Sequence, residues 1–349
     1  MSVNFGLLIN NALSENMAVD LGSFMTSIYI QNKGLLLKEP SCVAIDTRTN
    51  EIIAIGEEAY SMIGKNPLGT KIIHPVENGV IADIEMTVKM LKSYISSVYK
   101  KTVLKPRIIT AIPSDITYVK RHAIANAFKD AGAREVYFLE SPPAAAIGAG
   151  CDISLARGLF VVHIGAGYSD IASISLGKCV AHKTIDIAGN TFTNDIIKYI
   201  KKNHNLNIGY LSAESIKQKI GCAFSFDKIT SLNVSGCDAV SGLPRFISVT
   251  SEEIKDCLAA SVLKIANTIK NVLKDTPPEL QSDILEDGIL LTGGGAMLYG
   301  LDKFLRMNLG IKVFTANSMQ DCVINGLGNE LSKLDLPSQQ GEKFYYAAD

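Results

Sequence analysis

Val19-Asp20-Leu21-Gly22-Ser23-Phe24-Met25-Thr26-Ser27-Ile28 and Val162-His163-Ile164-Gly165-Ala166-Gly167-Tyr168-Ser169-Asp170-Ile171 are one ten-residue pattern used twice. Each reads as an apolar strand, a turn of small residues and a second strand. A tight small-residue turn presents backbone N–H groups as an anion nest. Two such turns, one in each half of a chain, can grip a polyphosphate from both sides. An Asp in each turn would orient the water around a hydrated metal ion. Asp20 fills that place in the first copy, whereas His163 stands in the second. The repeat predicts a two-sided clamp with one damaged jaw.

The rest of the chain bounds what surrounds the clamp. Its 349 residues leave room for two domains, and 47% hydrophobic against 20% charged residues suits a packed core. A net charge of −1 lacks the basic excess of a nucleic-acid surface. No apolar run reaches the length of a membrane span. The opening residues lack a basic start and a signal cleavage site, since the first Lys is Lys33. Seven cysteines are scattered without a Cys-x-x-Cys, as expected for reduced thiols in a cytosol, and five dispersed histidines argue against zinc.

Residues 17–158 alternate strands with helices. Strands are expected at 17–21, 27–30, 35–37, 41–46, 51–55, 107–112 and 135–139. A helix over 84–99 turns Ile84, Val88, Leu91, Ile95 and Val98 inward, and another over 117–131 stops at Gly132. Ala144–Gly150 reads as a small-residue helix. Residues 159–334 repeat the programme: strands at 159–164, 170–176 and 179–186, helices at 191–203 and 212–220, and a β-rich stretch over 224–250. A long helix runs from Ser251 to Asp275 with Ile254, Leu258, Val262, Ile265, Ile269 and Leu273 as its stripe, ended by Pro277. A strand at 288–292 empties into Gly293-Gly294-Gly295 before a further helix; a strand at 311–315 and a helix near 319–333 follow. The tail 335–349 is polar and expected to be loose. The segment 1–16 carries Phe5, Leu7, Leu8, Ile9 and Leu13 without Lys or Arg. It reads better as a frayed, partly docked terminus than as a membrane helix. The ligand position is then the cleft between the halves.

Three glycines in a row let a flat or anionic ligand approach closely, and the following helix start favours negative charge. Glu214 and Lys217, three apart on a helix, share a face and could contact a ribose and a base, or simply pair with each other.

Together these segments resemble the MreB family of bacterial actin homologues, over nearly the whole chain. The resemblance is carried by Asn78-Gly79-Val80-Ile81-Ala82-Asp83, by the run from Glu140 through Ser141-Pro142-Pro143 to Gly150, and by Ser241-Gly242-Leu243-Pro244. It continues in Lys274-Asp275-Thr276-Pro277-Pro278-Glu279-Leu280 and Leu291-Thr292-Gly293-Gly294-Gly295-Ala296. It implies an α/β, actin-like ATPase fold: two RNase H-like domains, at 17–158 and 159–334, each with a smaller inserted subdomain (about 45–83 and about 191–247). It also implies ATP or ADP with Mg²⁺ in the cleft and double protofilaments at the inner face of the cell membrane, alongside paralogous filament proteins. Residue by residue, the first phosphate turn is Asp20, Gly22, Ser23, Phe24, Met25 and Thr26, and the second Gly165, Ala166 and Gly167. Glu214 and Lys217 match the ribose and adenine contacts, and Gly293, Gly294, Gly295 and Ala296 the adenosine turn.

The departures bear on catalysis. The family's first turn is Gly-Thr-Ala-Asn-Thr, and here Phe24 and Met25 replace Ala and the phosphate-binding Asn. Its second is Asp-Ile-Gly-Gly-Gly-Thr-Thr-Glu, and here His163, Ala166 and Tyr168 replace the metal-orienting Asp, a Gly and the Thr. Its Glu-Glu-Pro, whose second Glu positions the attacking water, reads Glu140-Ser141-Pro142. Losing that carboxylate removes the group that would orient and polarise water. A neutral imidazole is a poor partner for the hard cation Mg²⁺. Glu140 is the one carboxylate placed to substitute, although its expected direction is out of the cleft. The chain is therefore expected to bind ATP and assemble, in cell shape or shape-driven motility, with weak or absent hydrolysis. An active ATPase of the same fold is the alternative. Nothing resembles the sugar-binding insertion of a kinase on this scaffold. The resemblance also implies a membrane contact at Val103 and Leu104, flanked by Lys100, Lys101, Lys105 and Arg107; a capping loop packed on the preceding helix reads equally well.

Overall fold

The computed structural model describes residues 15–99, 104–335 and 346–347. Val103 and most of the segment 1–16 lie outside them.

The duplication seen in sequence is a duplication of sheets. In the first half, β1 (Met17–Leu21), β2 (Met25–Ile30) and β3 (Gly34–Pro40) form an antiparallel meander. To β1 are added, in parallel, β9 (Arg107–Ile112) and then β10 (Glu135–Glu140). The second half repeats this order with β11 (Leu159–Ile164), β12 (Ser169–Ser175) and β13 (Lys178–Ile185), then β17 (Ile289–Thr292) and β18 (Val313–Thr315). Smaller sheets branch from each half. One joins β4 (Val43–Asp46), β5 (Ile52–Ile55) and β6 (Thr70–Ile73), beside the hairpin of β7 (Val76–Glu77) and β8 (Val80–Ile81). The other joins β14 (Leu206–Asn207), β15 (Ser231–Asp238) and β16 (Pro244–Thr250).

The helices are α1 (Glu57–Ser61), α2 (Ile84–Val98), α3 (Tyr118–Ala131), α4 (Ser141–Gly148), α5 (Gly189–His204) and α6 (Tyr210–Ile220). They continue with α7 (Ser251–Asp275), α8 (Pro278–Asp287), α9 (Leu301–Leu309) and α10 (Cys322–Glu330). Strand alternation sends successive side chains to opposite layers. Met17 and Val19 of β1 pack outward beneath α2 and α3, while Ala18 faces inward. Phe160, Val162 and Ile164 of β11 face α5 and α7, and Val161 faces inward. The inner layer between the two large sheets is α4 and α10. There Gly148 and Gly326 let the helices touch: a Cβ on Gly326 would overlap the Ala144 carbonyl, and one on Gly148 the Cys322 carbonyl.

Several expectations shift. The α2 core face is centred on Met86, Met90, Leu91 and Tyr94, and Ile84 is half exposed. The Tyr94 hydroxyl donates to the Pro40 carbonyl at 2.6 Å, which turns the helix toward β3. A separate helix, α8, starts immediately after Pro277. Of the tail expected to be loose, 336–345 and 348–349 lie outside the described residues, and β19 (Tyr346–Ala347) pairs antiparallel with Tyr137 and Phe138 on the outer edge of β10.

Candidate functional site

Both hairpin turns face one cleft of about 690 Å³. In the first turn the Gly22 N–H donates to the Met25 carbonyl at 3.1 Å, and a Cβ at Gly22 would lie 2.6 Å from that oxygen, so only glycine fits. In the second, the Gly165 N–H donates to the Tyr168 carbonyl at 3.0 Å. The start of α5 docks on this turn, Gly189 N donating to Gly165 O and Asn190 N to Ala166 O. Among the described residues, no protein acceptor takes the N–H groups of Ser23, Phe24, Ala166 or Gly167, which leaves them to an anion. The two turns meet: a Cβ on Gly167 would lie 2.5 Å from Ser23 Oγ and 2.8 Å from Asn78 N. The Gly79 N–H in turn donates to Ser23 Oγ at 3.1 Å.

Asp20, Gly22, Ser23, Phe24, Met25, His163, Gly165, Ala166, Gly167, Glu214, Lys217, Gly294 and Gly295 all line the cleft. Thr26, Gly293, Ala296, Glu140 and Ser141 do not. Thr26 follows the period of its strand: Met25 and Ser27 face the cleft, and Thr26 is buried on the other side with its hydroxyl 2.8 Å from Ser41 Oγ. Gly293 (φ 93°) is required by packing, since a Cβ there would strike the Ile164 carbonyl, and Gly294 is the least crowded of the three, a Cβ there meeting Gln320 Cγ at 3.8 Å. The turn continues as a short 3₁₀ helix, Gly294–Met297, that buries Ala296. Leu104, expected at a membrane contact, is half-buried, and its carbonyl accepts from Tyr99 Oη at 2.9 Å.

At the α6 end of the cleft, Lys217 Nζ lies 2.7 Å from Glu214 Oε2 and also donates to the Gly189 carbonyl (3.0 Å) and Thr193 Oγ1 (2.9 Å). Burial alone would raise Glu214, but Lys217, Thr193 and Gln218 together hold it below its usual value. Because α6 begins at Tyr210, both residues sit past its first turn. Phe226 and Tyr299 stack at 4.0 Å along the same wall.

At the opposite end the electrostatics are unusual. Burial, reinforced by the charge of Asp321 and opposed by Lys38, lifts Asp20 to about 7. Burial depresses His163 to about 4, so its ring is neutral at physiological pH; Nδ1 lies 3.2 Å from Thr292 Oγ1. Among the described residues no three His, Cys, Asp or Glu side chains gather closely enough to hold a metal ion. Of the two hairpin positions, Asp20 offers the oxygen ligand that Mg²⁺ prefers and a neutral His163 imidazole does not.

Behind the turns, Ser141 is fully buried. Its hydroxyl donates to the Ile112 carbonyl at 3.0 Å, so at the 2.8 Å contact with Tyr168 it is the Tyr168 hydroxyl that donates. The Tyr168 ring lines the cleft floor and packs on Gly79. Glu140 is directed away, toward Cys179 and Asp170. Residues not foreseen as lining include Ser27, Lys38, Asn190, Tyr210 and Gln320. Lys38 lies between Leu35-Leu36-Leu37 and Glu39, which reads as an exposed strand edge until the register sets it across from Ser27.

Two duplicated sheets with paired hairpin turns over one cleft define the actin-like ATPase fold. A family model described as MreB/Mbl protein matches residues 14–339, and the chain belongs to that family. It is 41% identical over 329 residues to the cell shape-determining protein Mbl of Bacillus subtilis (strain 168), spanning 94% of this chain and 99% of the relative. The crystal structure of MreB5 of Spiroplasma citri bound to ADP superposes with a TM-score of 0.89 at 35% identity, covering 94% of this chain and 99% of that one. The same MreB5 bound to AMPPNP gives 0.88, with coverage of 92% and 97%. The MamK double helical filament shares the fold, with a TM-score of 0.77 at 19% identity over 93% of this chain and 100% of that one. No helix among the described residues is long and apolar enough to cross a membrane.

Proposed function

We propose that this chain is a filament-forming, ATP-binding cytoskeletal protein acting in cell shape or shape-driven motility, in which hydrolysis is very slow or absent. ATP or ADP would lie with its phosphates between the turns at Gly22–Met25 and Gly165–Gly167. Its adenosine would lie against Glu214, Lys217 and Gly294–Gly295. The nucleotide complexes of Spiroplasma citri MreB5 support a nucleotide in this cleft. Magnesium, when it accompanies the nucleotide, neutralises phosphate charge; with Asp20 and neutral His163 as its neighbours, its hold on this protein is weak. Double protofilaments, paralogous partners and a site at the inner face of the cell membrane are the assembly that family membership suggests. We read the two large sheets as the two domains, with the small sheets as their inserted subdomains.

The hydrolysis reading rests on the Tyr168–Ser141 pair. A serine stands where a carboxylate would activate water; its single donor goes to the Ile112 carbonyl and one of its acceptor lone pairs to the Tyr168 hydroxyl. The tyrosine ring occupies the floor beside it, where a nucleophilic water needs room. Glu140 points to the wrong side to substitute, which disfavours an active ATPase with a rearranged water-positioning group.

Phosphate release under polymerising conditions tests this. Wild type should stay at background, and Ser141→Glu combined with Tyr168→Thr should raise release by about tenfold or more, within the usual worth of a positioned base. Wild-type release as fast as that of a family member carrying the carboxylate would overturn the reading.

A further inference from the structure

His163 stands where the first hairpin has Asp20, but the phosphate end of the cleft also has a cation. Lys38 lies on β3 directly opposite Ser27 of β2, and its side chain reaches the cleft beside Asp20, Gly22 and Met25. Its Nζ sits 2.6 Å from Asp321 Oδ1 and 3.5 Å from Gln320 Oε1, with the two charged side chains 32% and 31% exposed. An ion pair so open to solvent is weakly held and readily exchanged. The other lysines lining the cleft are Lys217 and Lys219 of α6, at the nucleoside end, and Lys217 is committed to Glu214, Gly189 and Thr193. An ammonium is a compact point charge suited to phosphate oxygens.

We propose that Lys38 is a phosphate-binding residue of the cleft, which leaves Asp321 for the polyphosphate when nucleotide enters and allows ATP to bind without a divalent ion. This rests on the cleft being a nucleotide site. Lys38 would then supply from the protein part of the positive charge that a well-held metal supplies elsewhere. Asp321 parks the ammonium in the empty cleft and keeps it next to Asp20, where the arriving phosphates must pass. The contact with Gln320 leaves Lys38 a neutral neighbour after exchange.

Equilibrium binding of ATP and of adenosine, each with Mg²⁺ and with EDTA, separates the possibilities in wild type, Lys38→Ala and Asp321→Asn. Wild type should keep its ATP affinity in EDTA to within about tenfold. Lys38→Ala should weaken ATP in EDTA by about tenfold or more, as loss of a charge-assisted phosphate contact does, and leave adenosine within about twofold. Asp321→Asn should bind ATP at least as tightly as wild type, because the ammonium is released. Loss of ATP binding by wild type in EDTA, or ATP affinity unchanged in Lys38→Ala, overturns the role of Lys38 while leaving the nucleotide site standing. An equal loss for ATP and adenosine in Lys38→Ala also overturns it, as damage to the fold. Wild type that binds neither ligand under any condition overturns the nucleotide site itself.

Discussion

Replacing Gly79 by alanine places a methyl group against the ring held responsible for closing the cleft floor. Gly79 is the second residue of an Asn-Gly turn between β7 and β8, with φ +50° at Asn78 and +72° at Gly79, the left-handed pair that two-residue hairpins favour. A Cβ at Gly79 would lie 2.6 Å from Tyr168 Cε1 and 2.8 Å from both Tyr168 Cδ1 and Pro113 Cγ. Two costs add. Alanine in the left-handed region loses about 1–2 kcal/mol, and forcing a methyl into filled space loses about 1–3 kcal/mol more. Gly79→Ala should therefore destabilise by about 2–5 kcal/mol in urea unfolding. The clash share is separable, because Tyr168→Ala vacates most of the space while leaving the backbone strain in place. A double-mutant cycle should show Gly79→Ala costing about 1–3 kcal/mol less in the Tyr168→Ala background, the range of directly touching residues. Additive single effects, to within about 0.5 kcal/mol, would refute the packing. They would also remove the support for a blocked water position, since one ring makes both the Gly79 and the Ser141 contacts.

Two further outcomes follow from buried groups. Gly326→Ala must separate α10 from α4, because its methyl would overlap the Ala144 carbonyl; a loss of about 3 kcal/mol or more is expected by thermal unfolding. Gly209→Ala, with nothing within 4 Å of its Cβ, should stay within about 0.5 kcal/mol, and equal effects at the two sites would contradict the contact. Asp170 is fully buried, and burial raises it to about 7 despite hydrogen bonds from Ser114 N, Ser114 Oγ and Thr184 Oγ1. A folded value above the unfolded 3.8 stabilises fully below 3.8 and is lost as pH rises through 7. About three units at 1.36 kcal/mol each set an upper bound of about 4 kcal/mol. Urea unfolding from pH 5.5 to 8.5 should show wild type losing stability relative to Asp170→Asn as pH rises, and parallel curves would remove the effect. Asp20 shifts in the same direction and His163 in the opposite one, so the comparison with the Asn variant isolates Asp170.

The duplicated hairpins, the strand at 107–112 and the α7 stripe could be read from the sequence because each is a regular apolar pattern bounded by glycine or proline, whereas the parallel pairing of β9, β10, β17 and β18 comes from the structure. The helix α8 could not: Pro277-Pro278 reads as a stop, yet proline is also favoured in a first helical turn, and only packing decides. Thr26 was placed with the phosphate turn by its position in a motif, but a strand turns alternate residues away, and the motif gives no count of where the turn yields to the strand. Gly293 and Gly295 look like ligand-binding glycines in a run of three, whereas Gly293 is held by the Ile164 carbonyl behind it. Lys38 carries no local signal because its neighbours in the cleft, Asp321 and Gln320, are about 280 residues away in the chain. The pairing of Tyr168 with Ser141 leaves no trace in the sequence for a related reason. Each substitution looks like a loss by itself, and their hydroxyls meet only when the second hairpin docks on α4.

The inner layer gives the polypeptide an order of assembly. Ala18, Ile109 and Leu139 of the first sheet find their apolar cover in α4 and in Ile324 and Leu327 of α10, while β10 receives its outer neighbour from Tyr346 and Ala347. On a ribosome the first-half strands emerge roughly 180 residues before that cover is made, at about 5–20 residues per second. For that interval the nascent chain carries an uncapped apolar face and a bare strand edge, features that invite mispairing between neighbouring chains. If the proposed self-association follows folding, α10 also limits association before it.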